Sequence, residues 1–320
     1  MKKIASIILL VVILVMSIVN ASAYGPIAPA NNHLYYIQNV RSGKYLTVNG
    51  NNIEQSGLEY NENQRFFVRQ SKTASGITYY HFVPDCNNAY CIDVNNAVDA
   101  NGSNIKIYSN STTVPAAQNF RLISNGNYMY QVMPEISSTR VWDVANASLN
   151  NGANVALYTK RNLNDSYVGA QQWKFYTVEK SIMNQNLVDS TKHLDYSCSS
   201  DFSSYAASAA NVWNSYRSGV IRKYITLIRS KDVEIIGVAS LDNNAAAITK
   251  YDTKQILVNL SVWNGYTDSQ KINLLAHELG HALGMGHLDD SANILYYAVN
   301  STTVLKTNNK SSYDTAYAGY

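Results

Sequence analysis

The chain has 320 residues, 46% hydrophobic and 15% charged, with a formal net charge of +3. That charge falls to +1 once Lys2 and Lys3 leave with an N-terminal signal, so no basic field exists to hold a nucleic acid. The hydrophobic fraction is ample for buried cores, and 25 tyrosines suit β structure and polar binding surfaces better than helical bundles.

The N-terminus reads as an export signal. Lys2 and Lys3 precede an apolar run from Ile4 to Val19, and Ala21-Ser22-Ala23 supplies a small-x-small cleavage site. Residues 1–23 are therefore expected to be removed, giving a secreted, extracellular chain with no membrane span after cleavage. In that oxidising setting Cys86 and Cys91 are close enough in sequence to bridge a hairpin, which leaves Cys198 as an idle thiol.

Residues 32–178 then repeat three times. Asn101-Gly102-Ser103-Asn104-Ile105-Lys106-Ile107-Tyr108 recurs as Asn151-Gly152-Ala153-Asn154-Val155-Ala156-Leu157-Tyr158. Upstream, Cys91-Ile92-Asp93-Val94 parallels Val141-Trp142-Asp143-Val144, and Tyr45-Leu46-Thr47-Val48 is a third copy. Each unit closes on glutamine, any residue, then an aromatic: Gln64-Arg65-Phe66, Gln118-Asn119-Phe120 and Gln171-Gln172-Trp173. Short alternating segments with Asn-Gly punctuation predict hairpins, and three copies closing on one core predict an all-β β-trefoil over residues 24–178. The closing glutamines and aromatics are expected in turns and core.

The glutamine-x-aromatic closure resembles the ricin B-type lectin family. The resemblance implies sugar binding, with an aspartate accepting hydroxyl hydrogen bonds and an aromatic stacking on the pyranose. Carried copy by copy, it assigns Asp93 with Tyr108, and Asp143 with Tyr158. The first copy has Thr47 in place of the acid and Ser56 near the aromatic position, so it is expected to be structural. Ala117 and Ala170 stand where the family often has asparagine.

Residues 179–190 lack periodicity and are expected to link this domain to a second, residues 191–320. There Lys192–Tyr196, Tyr224–Ile228 and Val233–Val238 read as strands, and residues 246–260 supply two more. Tyr205–Tyr216 has helical spacing, and a short helix is expected around Tyr313–Ala318.

The most specific run is His277-Glu278-Leu279-Gly280-His281-Ala282-Leu283-Gly284-Met285-Gly286-His287. On a helix His277 and His281 project from one face and can share a metal, with Glu278 beside it as a base. Gly284 lets the chain turn so that His287 becomes a third ligand, and three nitrogens leave one tetrahedral position open. The run resembles the metzincin clan of zinc endopeptidases, and the segment from about 190 onward is most similar to its matrixin-type members. The resemblance implies an α/β (α+β) zinc protease domain, a catalytic Zn2+, and an extended substrate along an edge strand within residues 245–251. A structural Ca2+ is left open, since no residue pattern specifies one. In the turn that metzincins place beneath the zinc, Leu295 takes the position of methionine, and Tyr297 is a candidate hydrogen-bond donor to the oxyanion.

The expected whole is a multidomain, secreted zinc metalloendopeptidase acting on extracellular, glycosylated proteins, with glycans held by the trefoil. The alternative is a carbohydrate-binding lectin or adhesin whose protease half is inactive. A glycan hydrolase would need paired catalytic carboxylates, and none is evident.

Overall fold

The computed structural model describes residues 25–320 apart from 112, 113, 227 and 229, so the export signal lies outside the described residues. Twelve strands fill the first domain: β1 (His33–Asn39), β2 (Tyr45–Asn49), β3 (Asn52–Ser56), β4 (Arg65–Ala74), β5 (Ile77–Pro84), β6 (Tyr90–Val94), β7 (Ile105–Ser109), β8 (Phe120–Ser124), β9 (Tyr130–Pro134), β10 (Arg140–Val144), β11 (Ala153–Thr159) and β12 (Trp173–Thr177). They form three units of four. Antiparallel pairing runs β1–β4–β5–β8–β9–β12 and returns to β1, which closes a six-stranded barrel. The remaining strands pair as hairpins β2–β3, β6–β7 and β10–β11. This is a β-trefoil, and closure removes the sheet edges that would otherwise invite aggregation.

The repeated Asn-Gly segments converge where the hairpins meet. Asn52 Nδ2 donates to Asn154 Oδ1, Asn154 Nδ2 to Asn104 Oδ1, and Asn104 Nδ2 to Asn52 Oδ1, at 3.0, 2.9 and 2.9 Å. A ring of three equivalent amides satisfies each donor and acceptor once and pins the pseudo-threefold packing. Gln64, Gln118 and Gln171 are buried, and Phe66, Phe120 and Trp173 lie in the barrel core as their spacing requires.

Several strands are apolar on both faces, and the period-two alternation shows why. Tyr35 and Ile37 of β1, Phe66 and Val68 of β4 and Phe82 of β5 point into the barrel. Their neighbours Leu34, Tyr36, Phe67 and Val83 instead join a second core with residues of the following domain. The two domains therefore share a hydrophobic interior.

Among the described residues the second domain has a five-stranded sheet in the order β14–β13–β15–β17–β16. Its strands are β13 (Leu194–Cys198), β14 (Ile221–Lys223), β15 (Val233–Val238), β16 (Ala247–Lys250) and β17 (Gln255–Asn259), parallel except for β16, which is the antiparallel edge. Helices α1 (Ser203–Asn214), α2 (Leu260–Trp263, one turn), α3 (Asp268–Ala282) and α4 (Thr307–Ala318) complete it. Trp213 of α1 is buried, and its Nε1 donates to the Ala276 carbonyl of α3 at 2.8 Å.

Three details differ from expectation. The strand expected at Tyr224–Ile228 is instead Ile221–Lys223, because only those residues find a register beside β13; Ile225 and Ile228 are exposed. Residues 179–190 are irregular but not a loose tether, since Ile182 N donates to Tyr60 O and Met183 N to Gly284 O, bonding one domain to the other. Cys86 and Cys91 remain thiols, and burial pushes them up to about 11 and about 12.

Replacing Asn104 with alanine breaks the amide ring and is expected to cost about 1–2 kcal/mol by chemical denaturation. An unchanged midpoint would show that the ring is incidental.

Candidate functional sites

Helix α3 starts at a capping box, in which Thr267 N donates to Gln270 Oε1 at 3.0 Å and Gln270 N donates to Thr267 Oγ1 at 3.4 Å. This start fixes the helix that carries His277, Glu278 and His281. Gly284 follows its end with φ +81°, a left-handed conformation that reverses the chain and returns His287 toward the helix. The three histidines converge: ring centroids lie 4.5, 4.8 and 5.3 Å apart, with one candidate ligand atom from each within 4.8 Å of the others.

Each Nδ1 already has a partner. His277 Nδ1 is 3.0 Å from Ile294 O, His281 Nδ1 is 2.8 Å from Met285 O, and His287 Nδ1 is 2.8 Å from Asp85 Oδ1. Carbonyl and carboxylate oxygens only accept, so all three Nδ1 atoms carry a proton, and the neutral form of each ring has its lone pair on Nε2. Three imidazoles each held at Nδ1, with His277 Nε2 and His281 Nε2 2.9 Å apart, form a donor set that fits a zinc ion. Burial pushes His277 and His281 down to about 3, and the neighbouring imidazoles add to the shift, so both lone pairs stay available across the neutral range.

Glu278 is buried on the same helix, and its Oε2 accepts from Thr249 Oγ1 of β16 at 2.7 Å. Tyr251 donates its hydroxyl to His281 O at 2.9 Å, tying the edge of the sheet to the helix. Residues 245–249, Glu278 and the three histidines line a cavity of about 460 Å³, which Asn88 of the trefoil also borders. Leu295 is fully buried and packs closely on Gly280, so an apolar side chain fills the space beneath the histidines.

Tyr297 departs from expectation. Its ring lines the cavity, but its hydroxyl donates to Asn32 O of the trefoil at 2.9 Å and lies 3.0 Å from the Tyr296 hydroxyl. The phenol packs edge-on against Phe67 at 5.0 Å, so the residue docks the two domains and its proton is committed away from an oxyanion. A second trio of carboxylates, Asp189, Asp195 and Asp232, has Arg222 donating to two of its members, which offsets part of its charge.

The trefoil copies differ in their polar residues. In the second, Asp93 of β6 is buried while Tyr108 of β7 is 55% exposed, and both line a cavity of about 460 Å³ with Asn96, Lys106 and Gln118. Burial pushes the Asp93 carboxyl up, and Gln118 Oε1 is a buried acceptor with no protein partner among the described residues. In the third, Gln171 Nε2 donates to Asp143 Oδ2 at 2.9 Å and Arg161 N donates to Gln171 Oε1 at 2.8 Å. The Arg161 guanidinium also stands over the Tyr158 ring at 5.2 Å and 3.8 Å from Asp143, as Lys106 stands over Tyr108 at 4.7 Å in the second copy, so the two copies differ at the glutamine carbonyl. In the first, Gln64 Nε2 donates to Thr47 Oγ1 at 3.1 Å, a closed structural contact.

Two residues that sequence reasoning missed are Asp85 and Arg65, since pairs far apart along the chain leave no local pattern. Asp85 Oδ2 accepts from Arg65 Nε at 2.8 Å while its Oδ1 holds His287. Burial alone would raise the Asp85 carboxyl, but His287 and Arg65 outweigh it and hold the group well below the usual carboxylate range.

Residues 27–108 match a family model described as ricin-type beta-trefoil lectin domain-like. With the strand order above, the first domain is a β-trefoil, and its first half is similar to the ricin-type lectin family. No curated protein matches the chain. Among solved structures, the chain is similar to the designed three-fold symmetric protein ThreeFoil, at 29% identity over 44% of this chain and 96% of that one, TM-score 0.38. It is also similar to the Macrolepiota procera ricin B-like lectin in complex with lactose (11% identity, 47% and 98% coverage, TM-score 0.38). A third is the Rhizoctonia solani agglutinin (16% identity, 47% and 98% coverage, TM-score 0.37).

Unfolded histidines bind protons below about pH 6.5, whereas folded His277 and His281 resist until about 3. The unfolded state thus binds more protons in that window, and stability is full above 6.5 and declines as pH falls. Thermal melts of metal-free protein from about pH 7 to about pH 4 are expected to show a steady fall in Tm; a flat or rising Tm would contradict the buried, neutral pair.

Proposed function

We propose that this chain is a secreted zinc-dependent metalloendopeptidase of metzincin type, held on glycosylated surfaces or glycoproteins by its trefoil. The observation that carries this is the convergence of His277, His281 and His287 through Nε2, with Glu278 beside them at the foot of a cleft bordered by an exposed edge strand. The eleven-residue run, the capped helix and the left-handed Gly284 all serve that convergence.

A bound zinc would acidify a water and polarise a peptide carbonyl. The chain's own residues supply the rest. His277, His281 and His287 would hold the ion, with their tautomers fixed by Ile294 O, Met285 O and Asp85. Glu278 takes the proton from the attacking water and returns it to the leaving amine, so no free acid or base is needed. Thr249 holds one oxygen of that carboxylate, which fixes its direction before substrate arrives. Among the described residues strand β16 pairs on one side only, so its other edge can accept an extended peptide by main-chain hydrogen bonding.

On the trefoil, a neutral sugar would bind at the second copy, where the Gln118 carbonyl has no partner among the described residues, Asp93 lines the cavity and Tyr108 is 55% exposed, with the Lys106 ammonium over its ring. Tethering the enzyme to glycan raises its local concentration around glycoprotein substrates.

Residues 24–320, expressed alone, are expected to carry one zinc per chain and to cleave members of a glycoprotein panel. Glu278→Ala is expected to keep the metal and lose about 10²–10⁴-fold in kcat. Zinc binding without cleavage of any substrate would favour a lectin or adhesin, and equal cleavage by the variant would remove Glu278 from the chemistry. On a glycan array, Tyr108→Ala is expected to weaken binding at least tenfold and Tyr158→Ala far less. Equal losses would contradict the ranking of the two copies.

A further inference from the structure

The loop that carries His287 is gripped by the other domain. Asp85 follows β5 of the trefoil, and both its carboxylate oxygens are in use, Oδ1 by His287 Nδ1 and Oδ2 by Arg65 Nε, each at 2.8 Å. Arg65 is fully buried, and its Nη1 donates to Tyr60 O and to Ile182 O, both at 3.0 Å. A Cβ added at Gly286 would collide with Arg65 Nη2 and Ser181 Oγ, so the residue before His287 must be glycine for the guanidinium to fit. Beyond His287 the trefoil holds on again. Leu34 N donates to Asp289 Oδ1 at 2.8 Å, and the Tyr297 hydroxyl donates to Asn32 O.

We propose that the trefoil completes the metal centre, with Asp85 as the positioning residue that sets the tautomer and orientation of His287 and Arg65 as the anchor that holds Asp85. The inference rests on the metal-binding role proposed above. An ion pair serving only to join the domains would need Arg65 and Asp85 but no histidine. Here the second carboxylate oxygen is aimed at the ring nitrogen opposite Nε2. Its acceptor character obliges Nδ1 to carry the proton, which leaves Nε2 free for the metal. The lectin-type domain is thus a structural part of the centre as well as its tether.

The substitution Asp85→Asn tests this because the asparagine cannot serve both neighbours. Arg65 only donates, so the amide oxygen turns to Arg65 and the amide NH₂ faces His287. His287 must then accept at Nδ1 and carry its proton on Nε2, the atom the metal needs. Zinc affinity of the full mature chain, measured by competition with a chromophoric chelator, is expected to fall about 10–100-fold. The absorption spectrum of the cobalt-substituted protein is expected to change, and Asp85→Glu is expected to recover part of the affinity. Should Asp85→Asn fail to fold, imidazole ¹⁵N shifts of the zinc-loaded wild-type chain decide: a proton on Nδ1 of His287 supports the assignment, and metal on Nδ1 overturns it. If wild type binds zinc and Asp85→Asn binds it equally, the positioning role falls while the metal centre stands. If wild type binds no zinc, both fall.

Discussion

The guanidinium of Arg65 is the constraint around which the molecule is arranged. A fully buried charge is costly unless it is paired and hydrogen-bonded, and every partner Arg65 finds lies where the two domains meet. Asp85 neutralises it, and Tyr60 and Ile182 accept from it. Gly286 gives up its side chain to make room for it. Because Asp85 also reaches His287, the cost of burying that charge and the shape of the histidine cluster are coupled.

Hydrophobic packing makes that coupling rigid. The outward faces of β1, β4 and β5 are apolar, so the barrel and the second domain close over one shared interior rather than swinging on a tether. Tyr297 reinforces it from the other side, with its hydroxyl on the Asn32 carbonyl and its ring against Phe67. Under the proposed function, a glycan bound to the trefoil would present the cleft at a set angle, and effective concentration would depend on geometry more than on linker length.

Local pattern made much of this legible. The threefold repeat predicts the trefoil because each copy must fold into the same four-strand unit, and the Val233–Val238 alternation gives its strand to the residue. The histidine run predicts its own convergence because four-residue spacing and a positive-φ glycine are local geometry. What stayed hidden depends on contacts distant in sequence. The segment at Tyr224–Ile228 alternates like a strand, but among its described residues Tyr224 N bonds to Tyr196 O and no further rung forms. Tyr297 occupies a suggestive position in the motif, yet a carbonyl of the other domain takes its proton. Asp85 and His287 are 202 residues apart, and neither flank marks the contact. The two sugar-site copies look alike in sequence and each sets a cation over its tyrosine, and what separates them is Arg161 N, which fills the Gln171 carbonyl while that of Gln118 has no partner among the described residues.

The proposed metal centre is a single one built from both domains. It is tested most directly by a crystal structure of the mature chain grown with zinc, using anomalous scattering at the zinc edge. The expected result is one strong peak bonded to Nε2 of His277, His281 and His287, with Asp85 still accepting from Nδ1 of His287. A peak elsewhere, or a His287 ring turned away from Asp85 when the ion is bound, would contradict it.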